Sequence, residues 1–317
     1  MDRHKTLRPE NTTLGVTLIV GSVFLMTLAD SLVKLVSADI TLWQIYVTRS
    51  LISIPVLAVI MIWRGSGLWP KAVGWAYLRA ALLVLMWIAY YASLPLLSLS
   101  VAAVALYTAP LLIALFSALL IGEPVGPRRW IAIMIGFAGV LTILRPGTDS
   151  FSWFMLLPIL GAVFYAFAMI LTRSKCLDET PLTLALALNV SLMAAGLAMT
   201  GVLWVLDLTP DATSTYPFVL GPWAGMGVRE WGIVSLLGVL IAVYSAGVAK
   251  AYQSAAPSIV GTFDNAYLVF AALWGFVIFA ETPDAATLIG MILIAVAGIL
   301  VARSPVPARI NPASTAI

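Results

Sequence analysis

The chain is poor in the residues that soluble enzymes use for chemistry. Charged residues make up only 10% of its 317 positions, against about 25% in a soluble domain. The one histidine, His4, lies in the polar N-terminal stretch, so no imidazole is available at membrane depth to relay protons, bind metal or complete a triad. The one cysteine, Cys176, excludes a disulfide framework and any cysteine-ligated zinc or iron–sulfur centre. No phosphate-cradling GxxxxGK[ST] stretch occurs, so ATP does not drive the protein directly. No cofactor or metal is expected.

Apolar residues are abundant instead, at 62% of the chain where a soluble domain has roughly 45–50%. A water-soluble fold cannot hide that much apolar surface. The composition is that of an all-α polytopic membrane protein, and the long apolar runs predict ten transmembrane helices. They fall near Thr13–Val36, Leu42–Trp63, Ala72–Leu94, Ser98–Ile121, Arg129–Leu144, Ser152–Leu171, Leu182–Trp204, Trp231–Tyr252, Pro257–Ala280 and Ala286–Val301. Short connections imply that consecutive spans pack antiparallel. Asp207–Arg229, rich in Pro, Gly, Thr and Trp, reads as a long exposed loop.

The net charge of +3 comes from basic residues set singly between apolar spans, which is a pattern of membrane orientation and not of nucleic-acid binding. With the N-terminus inside, the inner segments hold Arg3, Lys5, Arg8, Arg64, Lys71, Arg128, Arg129, Arg173, Lys175, Lys250, Arg303 and Arg309, and the outer ones only Arg145 and Arg229. Both termini are therefore expected in the cytoplasm, with the chain multi-pass in the cell inner membrane. Trp43, Trp63, Trp75, Trp130, Trp153, Trp204 and Trp231 stand at span ends, where the amphipathic ring suits the headgroup layer.

Ten spans divide into two fives. Gly21-Ser22-Val23-Phe24 resembles Gly161-Ala162-Val163-Phe164, and the same offset carries Arg49 onto Asn189. Ser100–Glu123 aligns without gaps on Ser258–Glu281. Two copies of an odd number of spans must lie in opposite orientations, so the chain is expected to form two inverted-topology five-helix repeats. The repeats are placed at 13–146 and 152–302, between cytoplasmic tails at 1–12 and 303–317.

Tyr91-Ala92-Ser93, Pro110, Gly122-Glu123, Gly136 and Gly139 in the first half, with Ala251-Tyr252-Gln253, Ala280-Glu281, Pro283 and Gly290 in the second, resemble the repeat of the drug/metabolite transporter superfamily, EamA type. Leu268 stands where the first repeat has Pro110, and Asp264-Asn265 replaces an apolar pair. Asp30 with Lys34, Arg49 and Trp130 to Pro146 look most like a branch of bacterial metabolite carriers within it. The resemblance implies a secondary transporter that moves a small metabolite by alternating access, proton- or exchange-coupled. Amino acids, vitamins, nucleobase-like compounds and S-adenosylmethionine are substrate classes of that superfamily. A channel-like or broad-specificity drug or organic-cation efflux facilitator is the alternative. An intramembrane protease is disfavoured, since no membrane histidine and no Gly-x-Gly-Asp is present.

A charge within a span costs roughly 2.5–3.5 kcal/mol on insertion scales and so needs a reason. Asp264 stands one helical turn from Tyr267, beside Asn265. It is expected either to bind a cationic group or coupling proton, or to pair with an intramembrane cation. Asp30 and Lys34 are spaced for a local ion pair, with Lys34 reaching outward, or for gating. Arg49 needs an anion, a carboxylate partner or water; Asp30 on the neighbouring span is one such partner, and the resemblance implies a structural position for this arginine. Arg79 is placed to snorkel toward the cytoplasmic face. Trp87, Tyr90 and Tyr91 in span three, Tyr107 in span four, Tyr165 in span six, Tyr244 in span eight and Trp274 in span nine are placed either for helix packing or to wall a pocket for stacking and cation–π contact, and the resemblance places Tyr91, Tyr107 and Tyr267 on spans that line the central cavity. Substrate-binding residues are thus expected at Asp264, Asn265, Tyr267, Tyr107, Tyr91 and Trp87, with coupling or gating at Asp30, Lys34 and Arg49. Glu123 and Glu281 read as turn and capping elements. Small residues on spans five and ten (Gly136, Gly139, Ala295, Gly298) permit close helix packing, within the chain or in a homodimer.

Overall fold

The computed structural model describes residues 12–109, 111–112, 115–116, 127–145, 152–176, 178–254, 263 and 265–303. Among these residues there are twelve α-helices and no strands. They are α1 (Thr12–Val36), α2 (Leu42–Trp63), α3 (Val73–Ser93), α4 (Leu99–Leu106), α5 (Pro127–Leu144), α6 (Leu156–Lys175), α7 (Pro181–Leu206), α8 (Pro210–Thr215), α9 (Pro217–Leu220), α10 (Val228–Ser254), α11 (Ala266–Phe279) and α12 (Ala285–Arg303). Among the described residues, five helical stretches are long and apolar enough to cross a membrane: α1, α2, α3, Trp153–Thr172 and α7. Trp130–Leu144, Ala266–Phe279 and Ala285–Leu300 are shorter apolar helices.

Local chemistry sets several starts. The side chain of Thr41 accepts from Gln44 N at the head of α2, that of Ser98 from Val101 N at α4, and that of Thr180 from Thr183 N at α7. Each satisfies a donor that the first helical turn leaves free. Asp284 caps the last helix, its Oδ1 accepting from Thr287 N at 2.9 Å. α7 and α11 end on left-handed residues, Asp207 (φ 41°) and Ala280 (φ 53°).

Packing departs from the expectation that consecutive spans lie side by side. The most extensive helix pairings are α5–α12, α1–α10, α3–α6, α2–α7, α2–α10, α1–α11, α3–α7, α4–α11 and α4–α6. Every one joins a helix from before residue 145 to one from after residue 152. The core is therefore a seam between the two parts of the chain, and large apolar side chains such as Leu51, Ile62, Met134, Val205 and Ile292 cover the outside. Trp63 and Trp204, 87% and 84% exposed, project from helix ends.

The segment Asp207–Arg229 is not a plain exposed loop. It contains α8 and α9, buries Phe218, and docks on α2: Trp43 Nε1 donates to Val219 O at 2.7 Å and Gln44 Nε2 to Ala224 O at 2.8 Å. The glycines of α5 and α12 are used within the chain. A methyl added at Gly139 would meet Ile294, Leu293 and the Gly290 carbonyl at 3.0–3.1 Å, so these small residues set how closely α5 approaches α12.

Candidate functional site

The polar residues of α1 satisfy themselves before reaching the site. Thr27 donates to Val23 O at 3.0 Å and Ser31 to Thr27 O at 2.7 Å, which removes their need for partners on other helices. Asp30, on the same buried face and 1% exposed, has no such internal option, because a carboxylate only accepts. Its donors come from two other helices. Tyr91 Oη of α3 donates to Oδ1 at 3.1 Å, and Tyr267 Oη of α11 donates to Oδ2 at 2.5 Å.

The hydroxyls of Tyr90 and Tyr267 are 2.9 Å apart. Tyr267 has one proton and gives it to Asp30, so Tyr90 is the donor in that bond. Arg49 Nη1 donates to Tyr91 Oη at 3.5 Å, and the guanidinium lies 5.3 Å from the Tyr46 ring and 5.8 Å from the Tyr91 ring. The bonds thus run in one direction from each side, Arg49 to Tyr91 to Asp30 and Tyr90 to Tyr267 to Asp30. Both chains end on the carboxylate.

Aromatic rings close around this centre. Trp87 lies 4.8 Å from Tyr91, and Tyr107 stacks on Tyr267 at 4.5 Å with 19° between planes. Beside the cluster is a cavity of about 60 Å³ lined by Asp30, Arg49, Trp87, Tyr91, Asn189 and Tyr244 together with Met26, Ala29, Leu188, Leu192, Leu240 and Ile241. Arg49 and Asn189, the pair related by the sequence repeat, face the same cavity from α2 and α7. Ser53 Oγ donates to Asn189 Oδ1 at 2.7 Å.

Eight residues singled out from sequence come together here: Asp30, Arg49, Trp87, Tyr90, Tyr91, Tyr107, Tyr244 and Tyr267. Asp264 lies outside the described residues, as do Glu123 and Pro110. Asn265 stands at the start of α11 with its amide over Gly298 of α12, where an added methyl would meet it at 3.2 Å. It is not among the cavity-lining residues.

Lys34 corrects the expected local pair with Asp30. It forms an ion pair with Glu281, donates to Leu97 O at 2.6 Å and lies 5.0 Å from the Phe279 ring. Asp30 is occupied by tyrosine donors on its own face, while Glu281 is within reach of the lysine tip. Glu281 does cap a helix, but a distant one: its Oε2 accepts from Leu99 N at 2.8 Å, at the start of α4. The expected direct pair of Arg49 with Asp30 is also replaced, since Tyr91 is interposed and the described residues show no Arg49 ion pair. Arg79 does not simply snorkel: its Nε donates to Thr172 Oγ1 of α6 at 2.6 Å.

Two further ion pairs join the same parts of the chain, Arg145 with Asp284 and Arg229 with Asp39. Asp284 is held down at about 2 by hydrogen bonds from Thr287, side chain and backbone, and by Arg145 beside it. Sequence reasoning missed Tyr46 and Asn189 as contributors. Tyr46 stands three residues before Arg49, a helical neighbour on the same face, and that spacing was the available signal.

Comparison with known proteins agrees with this architecture. The EamA-like transporter family matches residues 13–145. A pseudopaline exporter of Pseudomonas aeruginosa (strain UCBPP-PA14) is 26% identical over 291 residues, 92% of this chain and 96% of its own length. A riboflavin transporter of Rhizobium johnstonii is 30% identical over 235 residues, 74% of this chain and 70% of its own. An S-adenosylmethionine uptake transporter of Rickettsia felis is 23% identical over 218 residues, 68% and 67% respectively. A crystal structure with a TM-score of 0.58 and 20% identity covers 91% of this chain and 95% of its own, a likeness of fold. The buried polar cluster between packed apolar helices thus sits in a small-molecule membrane transporter: the chain belongs to the EamA-like transporter family of the drug/metabolite transporter superfamily.

Proposed function

We propose that the protein is an inner-membrane secondary transporter of a small zwitterionic or heteroaromatic metabolite, working by alternating access around the Asp30–Arg49 cavity. The observation that carries this reading is a buried carboxylate and a buried guanidinium lining one cavity where helices from both parts of the chain meet. Charges are kept inside a span when they bind or couple. Trp87, Tyr91, Tyr107 and Tyr267 supply the stacking surface beside them.

The ten spans form two inverted five-helix repeats, 13–146 and 152–302, with cytoplasmic tails at 1–12 and 303–317. The packing supports this division. Exchanging α1 with α6, α2 with α7, α3 with α10, α4 with α11 and α5 with α12 returns the same set of leading helix pairs. Opposite repeats rocking about a midplane site are a common transporter mechanism. The ion pairs Lys34–Glu281, Arg145–Asp284 and Arg229–Asp39 lie at helix ends on one membrane face, which the positive-inside count assigns to the outside. They hold that face closed.

Coupling follows from the hydrogen bonds. A proton arriving at Asp30 turns one acceptor oxygen into a donor, so the bond from Tyr91 or Tyr267 to that oxygen weakens or reverses and the hold of α1 on α3 or α11 changes with it. Asp264, beyond the described residues, is a second carboxylate proposed to contact substrate, with Asn265 next to it. A cavity of about 60 Å³ is well below the roughly 300 Å³ of a small-molecule site, so binding requires the helices to part. The relatives include both an exporter and uptake transporters, and the direction for this chain is set by gradients.

The test is counterflow in proteoliposomes with labelled riboflavin, S-adenosylmethionine and the twenty amino acids. Saturable exchange of at least one compound, lost in Asp30→Asn, is the expected result. Flux without saturation or exchange favours a channel-like or broad-specificity facilitator, and exchange undiminished in Asp30→Asn removes that carboxylate from the mechanism.

A further inference from the structure

Arg49 is under-coordinated, and the Tyr46 hydroxyl beside it is likewise buried without a partner. The residue is 1% exposed, yet of its five N–H donors one makes a hydrogen bond, at the 3.5 Å limit, to Tyr91. Nε is buried with no partner at all. The remaining contacts are two ring faces, Tyr46 and Tyr91, which attract the positive charge but accept no N–H···O bond.

The acceptors that share the cavity are engaged. Both oxygens of Asp30 are taken by Tyr91 and Tyr267. The carbonyl oxygen of Asn189 accepts from Ser53, and its amide nitrogen donates to Ala185 O at 2.9 Å. A guanidinium cannot relieve this by losing its proton, and a buried charge left short of partners is destabilising. Such a group persists where something else completes it.

We propose that the completing partner is a carboxylate of the transported molecule, bound in parallel hydrogen bonds by the fork of Arg49. This rests on the preceding reading of the cavity as the transport site and narrows its substrate class. The planar fork matches a carboxylate bidentately, at about 2.7–2.9 Å per bond. The cavity volume of about 60 Å³ is the right scale for that group alone, since on this measure one water needs roughly 10–15 Å³. A phosphate dianion fits poorly, because the lining offers one cation and places the Asp30 carboxylate in the same cavity. The rest of the substrate lies along Trp87 and the apolar face of Leu188, Leu192 and Leu240. Sequence repeat adds a reason for a single anchor: the position related to Arg49 is the uncharged Asn189, so one carboxylate binds in one orientation.

The experiment uses the full-length protein in detergent and its thermal stability. The probes are the twenty L-amino acids and nicotinate, each beside its carboxamide, with Arg49→Gln, Arg49→Lys, Asp30→Asn and Trp87→Ala run alongside. The expected result is an acid that raises Tm while its amide does not. Its affinity falls at least about tenfold in Arg49→Gln, and Arg49→Lys, which keeps the charge and loses the fork, recovers only part of it. Should Arg49→Gln fail to give a monodisperse protein, Arg49→Lys decides alone. An acid and amide that stabilise equally, an acid unaffected by both Arg49 variants, or silence from every acid overturns the proposal. Stabilisation by a neutral or cationic probe that disappears in Asp30→Asn or Trp87→Ala removes the carboxylate anchor and leaves the cavity in place. A ligand indifferent to all four variants removes the cavity itself.

Discussion

The Tyr267 hydroxyl of α11 lies 2.5 Å from Oδ2 of Asp30 on α1, tying together two helices far apart in sequence. With Tyr91 on the other oxygen, one carboxylate fastens three helices. A charge-assisted bond of that kind is about twice as strong as a neutral one. That buried carboxylate is thus a mechanical joint between α1, α3 and α11.

Tyr267→Phe tests the joint. The ring keeps its stack on Tyr107, while Asp30 loses one donor and Tyr90 loses its acceptor. The variant is expected to lose about 1 kcal/mol of stability, read as a lower Tm in detergent, and to exchange substrate at least about tenfold more slowly. Unchanged transport would show that this bond has no part in the cycle.

Lys34 and Glu281 are expected to be energetically coupled. Their side chains are 12% and 21% exposed, so either single change, Lys34→Met or Glu281→Gln, leaves a partly buried charge without its partner. Each is expected to cost about 1–3 kcal/mol. The double variant should lose less than the sum, giving a coupling of about 1 kcal/mol or more. Strict additivity in thermal unfolding would mean the pair contributes nothing.

Asp284 gives an acid-side prediction outside the spans. Its carboxyl is held at about 2, below the ordinary 3.8, by Thr287 and then Arg145. A depressed folded value means the contribution is full above about pH 4 and is lost as pH falls toward 2. The side chain is 53% exposed, so solvent screening keeps the effect under about 1 kcal/mol. Asp284→Asn should lower Tm slightly at pH 7 and approach the parent only as pH falls to about 2; an equal difference at both would contradict the assignment.

Two glycines of α7 should behave in opposite ways. A methyl at Gly196 would meet Trp43 O and Val47 Cγ2 at 2.9 Å and Tyr46 Cβ at 3.2 Å. A backbone carbonyl cannot move aside alone, so Gly196→Ala should cost about 1–3 kcal/mol and disturb Arg49 through Tyr46. Gly201 has nothing within 4 Å, and Gly201→Ala should be neutral or gain up to about 1 kcal/mol of helix propensity. Equal melting temperatures for the two would contradict the close α2–α7 approach.

Much of this was legible in the sequence because the bilayer demands it. Long apolar runs mark helices wherever backbone polar groups must be satisfied internally, and the α2 bounds Leu42–Trp63 agree with the hydropathy reading. Asp30, Arg49 and the aromatic residues stood out because charge and polar rings are rare in such spans. Their partners were not legible. Helical spacing pairs Asp30 with Lys34, but the observed contacts reach residues about 60 and 240 positions away, and local periodicity carries no information about those. Glu281 was recognisable as a cap, and only the fold reveals that it caps α4. The interleaving of early and late helices likewise has no local signature, because each helix is apolar on nearly every face.

Accessibility of a single cysteine decides whether the Asp30–Arg49 cavity is on the transport path. Leu192→Cys in a Cys176→Ser background places one thiol in the cavity lining, with Val228→Cys at the exposed start of α10 as a reactive control. A membrane-impermeant thiol reagent is applied separately to right-side-out and inside-out vesicles, with and without Lys34→Met/Glu281→Met. The cavity thiol is predicted to react from the face opposite the ion pairs in the parent, and to gain reactivity from the ion-pair face once that pair is removed. A cavity thiol silent from both faces in both backgrounds, while the control labels, would contradict alternating access through this site.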